Sequence, residues 1–167
     1  KKLEEACMLA AEKAVEAGLT CVHWMVESAD EIHVLRKLDS EGKLPLRVRL
    51  GVSVELLDKL GNSPLLKDVG KGMVKTGFVK ILADGSLGAH TAALNEPYSD
   101  NHGTCGMLLY SQRTLENLVL KAHKAGFQLA IHAIGDRAIC AVLKAYEKAL
   151  KSFPRADHRH RIEHSSV

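Results

Sequence analysis

The stretch Gln128-Leu129-Ala130-Ile131-His132 is a short apolar run that ends on a histidine. Two further runs end on residues that can hold a metal ion: Gly77-Phe78-Val79-Lys80 and Arg161-Ile162-Glu163-His164. Their length and β-branched content are typical of buried strands. In a parallel α/β barrel the C-terminal ends of successive strands converge on one rim, where the chemistry lies. The three runs therefore predict a site built from the residues that end them.

Helix and strand patterns alternate along the whole chain. Apolar spacing predicts helices over 2–17, 28–38, 54–60, 111–125 and 136–153, and strands over 19–26, 46–52, 78–82, 127–132 and 160–164. Ser28 opens a capping box with Glu31, while Gly18 and Gly126 are natural helix stops. This alternation is expected of right-handed βαβ units on a parallel sheet. The predicted fold class is α/β, either an open five-stranded domain or part of a (β/α)8 TIM-like barrel.

The segment 84–110 breaks this rhythm, because it is rich in glycine and shows little periodicity. Connections of this length without secondary structure are usually functional or disordered. Since this one follows the strand that carries Lys80, we predict an active-site loop within a single partial barrel domain, 1–167.

Composition narrows the class of protein. The 167 residues are 46% apolar and 26% charged, as in an ordinary globular protein. The net charge of +3 is dispersed and no basic block occurs, so nucleic acid is not an expected partner. No apolar run approaches the ~20 residues that cross a bilayer. Four cysteines without a CxxC pair predict buried free thiols and a cytoplasmic location.

The three strand ends suggest metal chemistry. Imidazole is the commonest protein ligand for metals, which favours His132 and His164 as ligands. Lys80 lies between Val79 and Ile81 in a run that should be buried, where an unpaired ammonium is costly. It must find a carboxylate, lose its proton or be modified, for example by carbon dioxide to a carboxylate that bridges two metal ions.

Strand alternation and loop position also predict which other side chains face the site or the surface. Alternation places Ile162 and His164 on one side of the last strand, with Arg161 and Glu163 on the other, and leaves His158 and His160 at the surface. The candidates for substrate binding are His23, Asp84 and His90. The alternatives are packing for His23, a turn role for Asp84 and an idle loop position for His90 and His102. Asp136 is expected to cap a helix, and Trp24 and Tyr98 to pack.

Several segments together resemble the amidohydrolase superfamily, and more narrowly amidohydrolase family 3, the group around N-substituted formamide deformylase. The matching segments are Phe78–Gly88, Thr91–Leu94 with Glu96-Pro97-Tyr98, Ala122–Gly126, His132–Ala138, Arg159–His164 and, in part, Gly18–His23. The resemblance spans essentially the whole chain.

The resemblance implies a deformed (β/α)8 barrel that holds one or two divalent metals, usually zinc, and hydrolyses C–N bonds outside peptides. By position, Lys80 matches the often carboxylated lysine of strand four, and His132 and His164 match the metal histidines of strands five and six. The His-x-His of strand one and the water-activating Asp of strand eight have no match, so the chain resembles strands two to six. We therefore expect a longer polypeptide or a homo-oligomer that acts on a small molecule, with the catalytic Asp outside these residues and the fragment inactive alone.

Three other functions are compatible with the sequence. Barrels of this superfamily also open lactones and cleave phosphoesters. A doubly wound domain that binds a small ligand without catalysis is a second alternative, although no GxGxxG or GxxxxGK[ST] follows a strand. A regulatory or degenerate homologue that keeps the scaffold without turnover is the third.

Overall fold

The computed structural model describes residues 1–61, 66 and 72–167. In chain order its elements are α1 Lys2–Glu16, β1 Cys21–Val26, α2 Ala29–Ser40, β2 Arg47–Ser53, α3 Val54–Leu60, β3 Val74–Leu82, α4 Gln112–Lys124, β4 Leu129–Ala133, α5 Asp136–Ser152 and β5 Arg161–His164. The strand order is β1-β2-β3-β4-β5, and the pairs β1–β2, β3–β4 and β4–β5 are parallel.

This sequential order decides between the two predicted architectures. A doubly wound sheet reverses its strand order at a switch point, whereas barrel strands follow one another in chain order. The described strands show no reversal. The fold is therefore part of a TIM-like barrel, as predicted, and the doubly wound alternative is wrong.

Two compact units divide the chain, Lys1–Phe78 and Val79–Val167, and β3 contributes residues to both. The expectation of one domain over 1–167 stays a prediction.

In the first unit, helix and strand residues meet in an aliphatic core. Ile32, Leu35 and Leu38 recur at helical spacing on α2 and are fully buried. Val48, Leu50 and Val52 recur at every second position of β2 and are equally buried. Each such side chain contributes about 1.5–3 kcal/mol of burial free energy. The predicted capping box starts α2, since Ser28 Oγ accepts from Glu31 N at 3.3 Å and Glu31 Oε1 accepts from Glu27 N at 3.2 Å.

In the second unit, α4 and α5 pack against each other and against β4. Ser111 Oγ caps α4 by accepting from Thr114 N at 3.2 Å. The buried face of α5 contains four alanines at helical spacing, Ala138, Ala141, Ala145 and Ala149, together with Val142 and Tyr146. This packing holds β4 and its C-terminal end in a fixed position.

Several element boundaries differ from the sequence prediction. β3 begins at Val74, four residues before the predicted start. The first strand begins at Cys21, because Gly18 has φ 80° and Leu19 N donates to Ala14 O, closing the end of α1. Asp136 was expected to cap α5, but the N-cap is Gly135, and Asp136 is the first helical residue.

The four cysteines are free thiols, as predicted, but their expected burial is only partly confirmed. Cys7 is buried, whereas Cys21 and Cys140 are exposed and Cys105 is half-buried. Cys140 lies on the outer face of α5, and Cys21 begins β1. None of the helices in the described part of the chain is long and apolar enough to span a bilayer.

Candidate active site

Parallel pairing places polar residues of three strands on one face of the sheet in the second unit. Lys80 is in register with Ala130 and Arg161, and Leu82 is in register with His132 and Glu163. Side chains alternate along strands, so these six share a face. The residues between them are almost fully buried: Val79, Ile81, Leu129 and Ile131. Val79, Ile81, Leu129 and Ile131 belong to the face that the helices cover, and the opposite face carries the polar residues Lys80, His132, Arg161 and Glu163.

His132 and His164 come together at the ends of β4 and β5. Their ring centroids are 4.6 Å apart and the rings meet edge to face at 70°. Register alone would place His164 beside Ala133 on the helix-covered face. His164 instead has φ 77°, and Ser165 N donates to Glu163 O at 3.1 Å and to Ala133 O at 3.2 Å. This tight turn ends the strand alternation and directs the imidazole toward His132.

The turn corrects the prediction drawn from strand alternation. His164 was expected opposite Arg161 and Glu163, yet its ring contacts that of His132, which shares a face with Glu163. A positive φ in a residue with a Cβ is uncommon and costs free energy, about 1–3 kcal/mol. Such strain is often found at functional sites, which agrees with a role for this side chain.

Hydrogen bonding determines which nitrogen of His132 is protonated. Nε2 lies 2.8 Å from the carbonyl oxygen of Gly85. A carbonyl oxygen only accepts, so Nε2 carries the proton and Nδ1 keeps its lone pair. Nδ1 is therefore the nitrogen of His132 that suits a metal ion.

Lys80 lies on the same face, on the strand before His132. Its side chain is half-buried, and burial lowers the pKa of the ammonium; the negative charge of Glu163 opposes this shift and the positive charge of Arg161 adds to it. Arg161 Nε and Glu163 Oε1 form an ion pair within β5. Lys80, His132 and His164 thus occupy three adjacent strands, as expected, while their role as metal ligands stays a prediction.

The donor set fits a metal only in part. Two imidazoles lie within contact of each other and one of them presents an unprotonated Nδ1. Within the described ranges, however, no group of three or more His, Cys, Asp or Glu side chains is placed to hold an ion. A complete coordination sphere would need Lys80 as a further ligand, or ligands from beyond residues 1–167.

The predicted active-site loop is ordered against the end of β3 and the start of α5. Leu109 N donates to Ala83 O at 2.9 Å, and Arg137 N donates to Ala93 O at 3.1 Å. Ala92 and Ala93 are fully buried, and Tyr98 OH donates to Ala92 O at 2.9 Å, so Tyr98 packs as expected. The loop is therefore held between these two elements, and its residue Gly85 contacts His132.

The three candidates for substrate binding have different surroundings. His90 has φ 52° and its Nε2 donates to Asp100 Oδ2 at 3.0 Å, while its ring contacts Tyr98. His23 lies on β1 in the first unit, where its ring meets Phe78 edge to face at 5.0 Å. Asp84 is buried, with a side chain that is 0% exposed. Substrate binding by these residues stays a prediction.

A histidine network at the opposite end of β4 was missed by the sequence interpretation. Leu129 N donates to His160 Nδ1 at 3.0 Å, which leaves His160 Nε2 to donate to His123 Nδ1 at 2.8 Å. His123 Nε2 then donates to Phe153 O at 2.7 Å. His160 also stacks on Tyr146. Both imidazoles are neutral in this chain of hydrogen bonds, because each has one donating and one accepting nitrogen.

The prediction that His160 lies at the surface is therefore wrong. Its ring is half-buried, and burial, together with repulsion from His158, His123 and Arg155 when these groups are protonated, lowers its pKa to about 3. His158 is also half-buried, and its Nδ1 accepts from His160 N at 3.0 Å. The available signal was the spacing of Leu115, Val119 and Ala122, which places His123 on the buried face of α4.

Comparison with known proteins identifies the family. The model of the Amidohydrolase family matches residues 1–167. The Bacillus subtilis (strain 168) protein named amidohydrolase YtcJ is 34% identical over 171 residues, covering 99% of this chain and 31% of YtcJ. The N-substituted formamide deformylase of Arthrobacter pascens is 28% identical, covering 90% of this chain and 28% of that protein.

A solved structure gives the same result. An uncharacterized metal-dependent hydrolase from Pyrococcus horikoshii OT3 superposes with a TM-score of 0.82 at 35% identity, covering 96% of this chain and 32% of that one. The chain thus spans about a third of the length of the relatives that it matches. The resemblance seen in the sequence is confirmed, and the chain belongs to the amidohydrolase family.

Proposed function

We propose that this chain supplies part of the active site of a metal-dependent hydrolase that cleaves C–N bonds of small, non-peptide amides or formamides. The observation that carries the proposal is the His132–His164 pair, with rings 4.6 Å apart on strands next to that of Lys80. Family membership and the metal-dependent hydrolase from Pyrococcus horikoshii support the same reaction class.

Each side chain has a defined task in this proposal. His132 offers Nδ1 because its Nε2 proton is held by the Gly85 carbonyl oxygen. His164 offers its ring from a strained turn whose two hydrogen bonds limit its movement. A bound divalent ion, expected to be zinc, would lower the pKa of a coordinated water to about 7 and polarise the scissile carbonyl.

Lys80 is proposed to act in its carboxylated form. Its amine nitrogen would add to the carbon of carbon dioxide and lose one proton, which gives a carbamate anion with two oxygen ligands. Partial burial of the side chain on a strand lowers the pKa of the ammonium, which favours the neutral amine that reacts with carbon dioxide, and the positive charge of Arg161 acts in the same direction against that of Glu163. With one oxygen for each ion, this carboxylate would let the site hold two metal ions.

The choice of bond rests on relatives, not on the geometry of this chain. The Arthrobacter pascens relative is named for removing a formyl group from a substituted nitrogen. We extend that bond type to this protein, with the water-activating carboxylate and the remaining ligands provided by a longer polypeptide or a partner copy. A small-molecule substrate and a cytoplasmic location complete the proposal.

The test uses the natural polypeptide that carries residues 1–167. Purified protein is assayed for metal content and for hydrolysis of amides, formamides, lactones and phosphoesters. We expect bound zinc and turnover of an amide or formamide, both removed by a chelator and restored by zinc. Preferential turnover of lactones or phosphoesters would contradict the C–N assignment, and metal-free protein with no hydrolysis would favour a ligand-binding or regulatory homologue.

Variants locate the activity on the proposed residues. His132→Asn and His164→Asn should each remove metal and lower the rate by orders of magnitude, because the activated water is lost with the ion. Lys80→Ala should lower metal content and activity together, and bicarbonate should not restore them. The matched controls are His33→Asn and Lys144→Ala, at exposed helix positions. Full metal content and near-normal turnover in Lys80→Ala would favour a single-metal site built on the histidines.

A further inference from the structure

Asp84 is a buried acid that lies beside His132 and directly follows the Ile81–Ala83 run. Its carboxylate accepts from three backbone amides: Ala93 N at 3.0 Å, Ile134 N at 3.0 Å and Gly135 N at 2.9 Å. The side chain is 0% exposed. Backbone amides are what a buried carboxylate needs in order to remain charged away from water.

These three hydrogen bonds join the two segments that surround the His132 ring. Ala93 belongs to the loop after β3, and Ile134 and Gly135 form the turn directly after β4. Gly85, whose carbonyl oxygen accepts the Nε2 proton, is the next residue after Asp84. The carboxylate therefore fixes the backbone on both sides of the imidazole.

Asp84 also affects the imidazole through its charge. Its Oδ1 lies 3.4 Å from His132 Nε2, the nitrogen that donates to Gly85 O at 2.8 Å. Nε2 thus faces two oxygens that only accept. A lone pair on Nε2 would face both of them, so the tautomer with its proton on Nδ1 is disfavoured.

We propose that Asp84 is a positioning residue that keeps the proton of His132 on Nε2 and so presents Nδ1 as the metal-binding nitrogen. The proposal rests on the proposed metal function. Carboxylates and carbonyls that hold the second nitrogen of a ligating histidine fix its tautomer and orientation, and their loss costs about 10- to 100-fold in metal affinity. Asp84 and Gly85 supply both groups from consecutive residues.

The alternative is that Asp84 only anchors the loop. Asp136 is a matched control, because its carboxylate also anchors the same loop: Oδ1 accepts from Asn95 N at 3.0 Å, and Oδ2 accepts from Asn95 Nδ2 at 2.7 Å. Among the residues that the structure describes, Asp136 accepts hydrogen bonds from Asn95 and Arg137 and from no histidine ring. Replacing each acid by its amide therefore separates loop anchoring from the effect on His132.

The experiment measures zinc affinity and histidine tautomer in the natural polypeptide, comparing wild type with Asp84→Asn and Asp136→Asn. Asp84→Asn should weaken zinc binding about 10- to 100-fold. Asp136→Asn should stay within about threefold, since this half-buried loop anchor does not touch the ligand. In metal-free protein labelled with ¹⁵N in its histidine rings, wild type should show His132 protonated on Nε2, and Asp84→Asn should shift it toward the Nδ1 form.

The tautomer of His132 in metal-free wild type tests the inference even if Asp84→Asn does not fold or wild type binds no zinc. If metal-free wild type carries the His132 proton on Nδ1, the inference is wrong, whether or not Asp84→Asn folds. An unchanged tautomer and unchanged zinc affinity in a folded Asp84→Asn protein would show that Asp84 only anchors the loop. Wild type that binds no zinc would refute the proposed function, while the tautomer would still be read independently of metal.

Discussion

Gly135 is the position where one added methyl group should disturb the loop and the site together. A Cβ built there lies 2.0 Å from Ala93 O, 2.4 Å from Ala93 C and 2.8 Å from Ala93 N. All three atoms are backbone, and Ala93 is fully buried, so no side chain can rotate away. Because carbon and oxygen atoms normally approach no closer than about 3.2–3.5 Å, Gly135→Ala forces these segments apart by roughly 1 Å or more.

That displacement breaks three hydrogen bonds. Arg137 N donates to Ala93 O at 3.1 Å, and Asp84 Oδ2 accepts from Ala93 N at 3.0 Å and from Gly135 N at 2.9 Å. A further ~1 Å puts each pair beyond hydrogen-bonding distance. A neutral hydrogen bond contributes about 1 kcal/mol and one to a charged group about 1.5–3 kcal/mol. We expect Gly135→Ala to lower the free energy of unfolding by about 4–7 kcal/mol, the sum for one neutral hydrogen bond and two to a carboxylate.

The assay is urea unfolding of the natural polypeptide, with Gly88→Ala as the control. Gly88 lies in the same loop, has no positive φ, and a Cβ there would meet nothing within 4 Å. Its substitution should change the free energy of unfolding by less than about 0.5 kcal/mol. A Gly135→Ala protein within 1 kcal/mol of wild type, with an unchanged His132 ¹⁵N signal, would refute the close approach of Gly135 to Ala93.

Two further predictions concern stability, at His160 and at Gly18. The pKa of His160 is lowered to about 3, against about 6.5 when unfolded, so its contribution to stability is complete above pH 6.5 and is lost as the pH falls toward 3. A single titrating group changes the free energy of unfolding by at most about 1.4 kcal/mol per pH unit. For His160 we expect about half of that, because its ring is half-exposed and solvent screens it. Urea unfolding between pH 7.5 and 4.5 should show a shallower loss of stability in His160→Asn than in wild type, and parallel curves would contradict this. Gly18→Ala should cost about 1 kcal/mol, because Gly18 has φ 80° at the end of α1; a melting temperature equal to that of wild type would show that the turn tolerates a Cβ.

The sequence by itself determined the alternation of helices and strands and the polar residues near the C-terminal ends of three strands. Helices and strands have periods of 3.6 and 2 residues that arise from backbone geometry, so Ile32, Leu35 and Leu38 could be assigned to a buried helix face without knowing what they contact. Lys80, His132 and His164 were placed on adjacent strands by the same local signal.

Tertiary structure decided the direction of the rings and the state of their protons. The turn at His164 depends on Ala133 O, the tautomer of His132 on Gly85 O, and the burial of His160 on Leu129 N and His123. Each of these partners lies far along the chain, and Asp84 reaches amides about fifty residues away. Local periodicity specifies which face a residue occupies, but it carries no information about a hydrogen-bond partner that only the folded chain brings near.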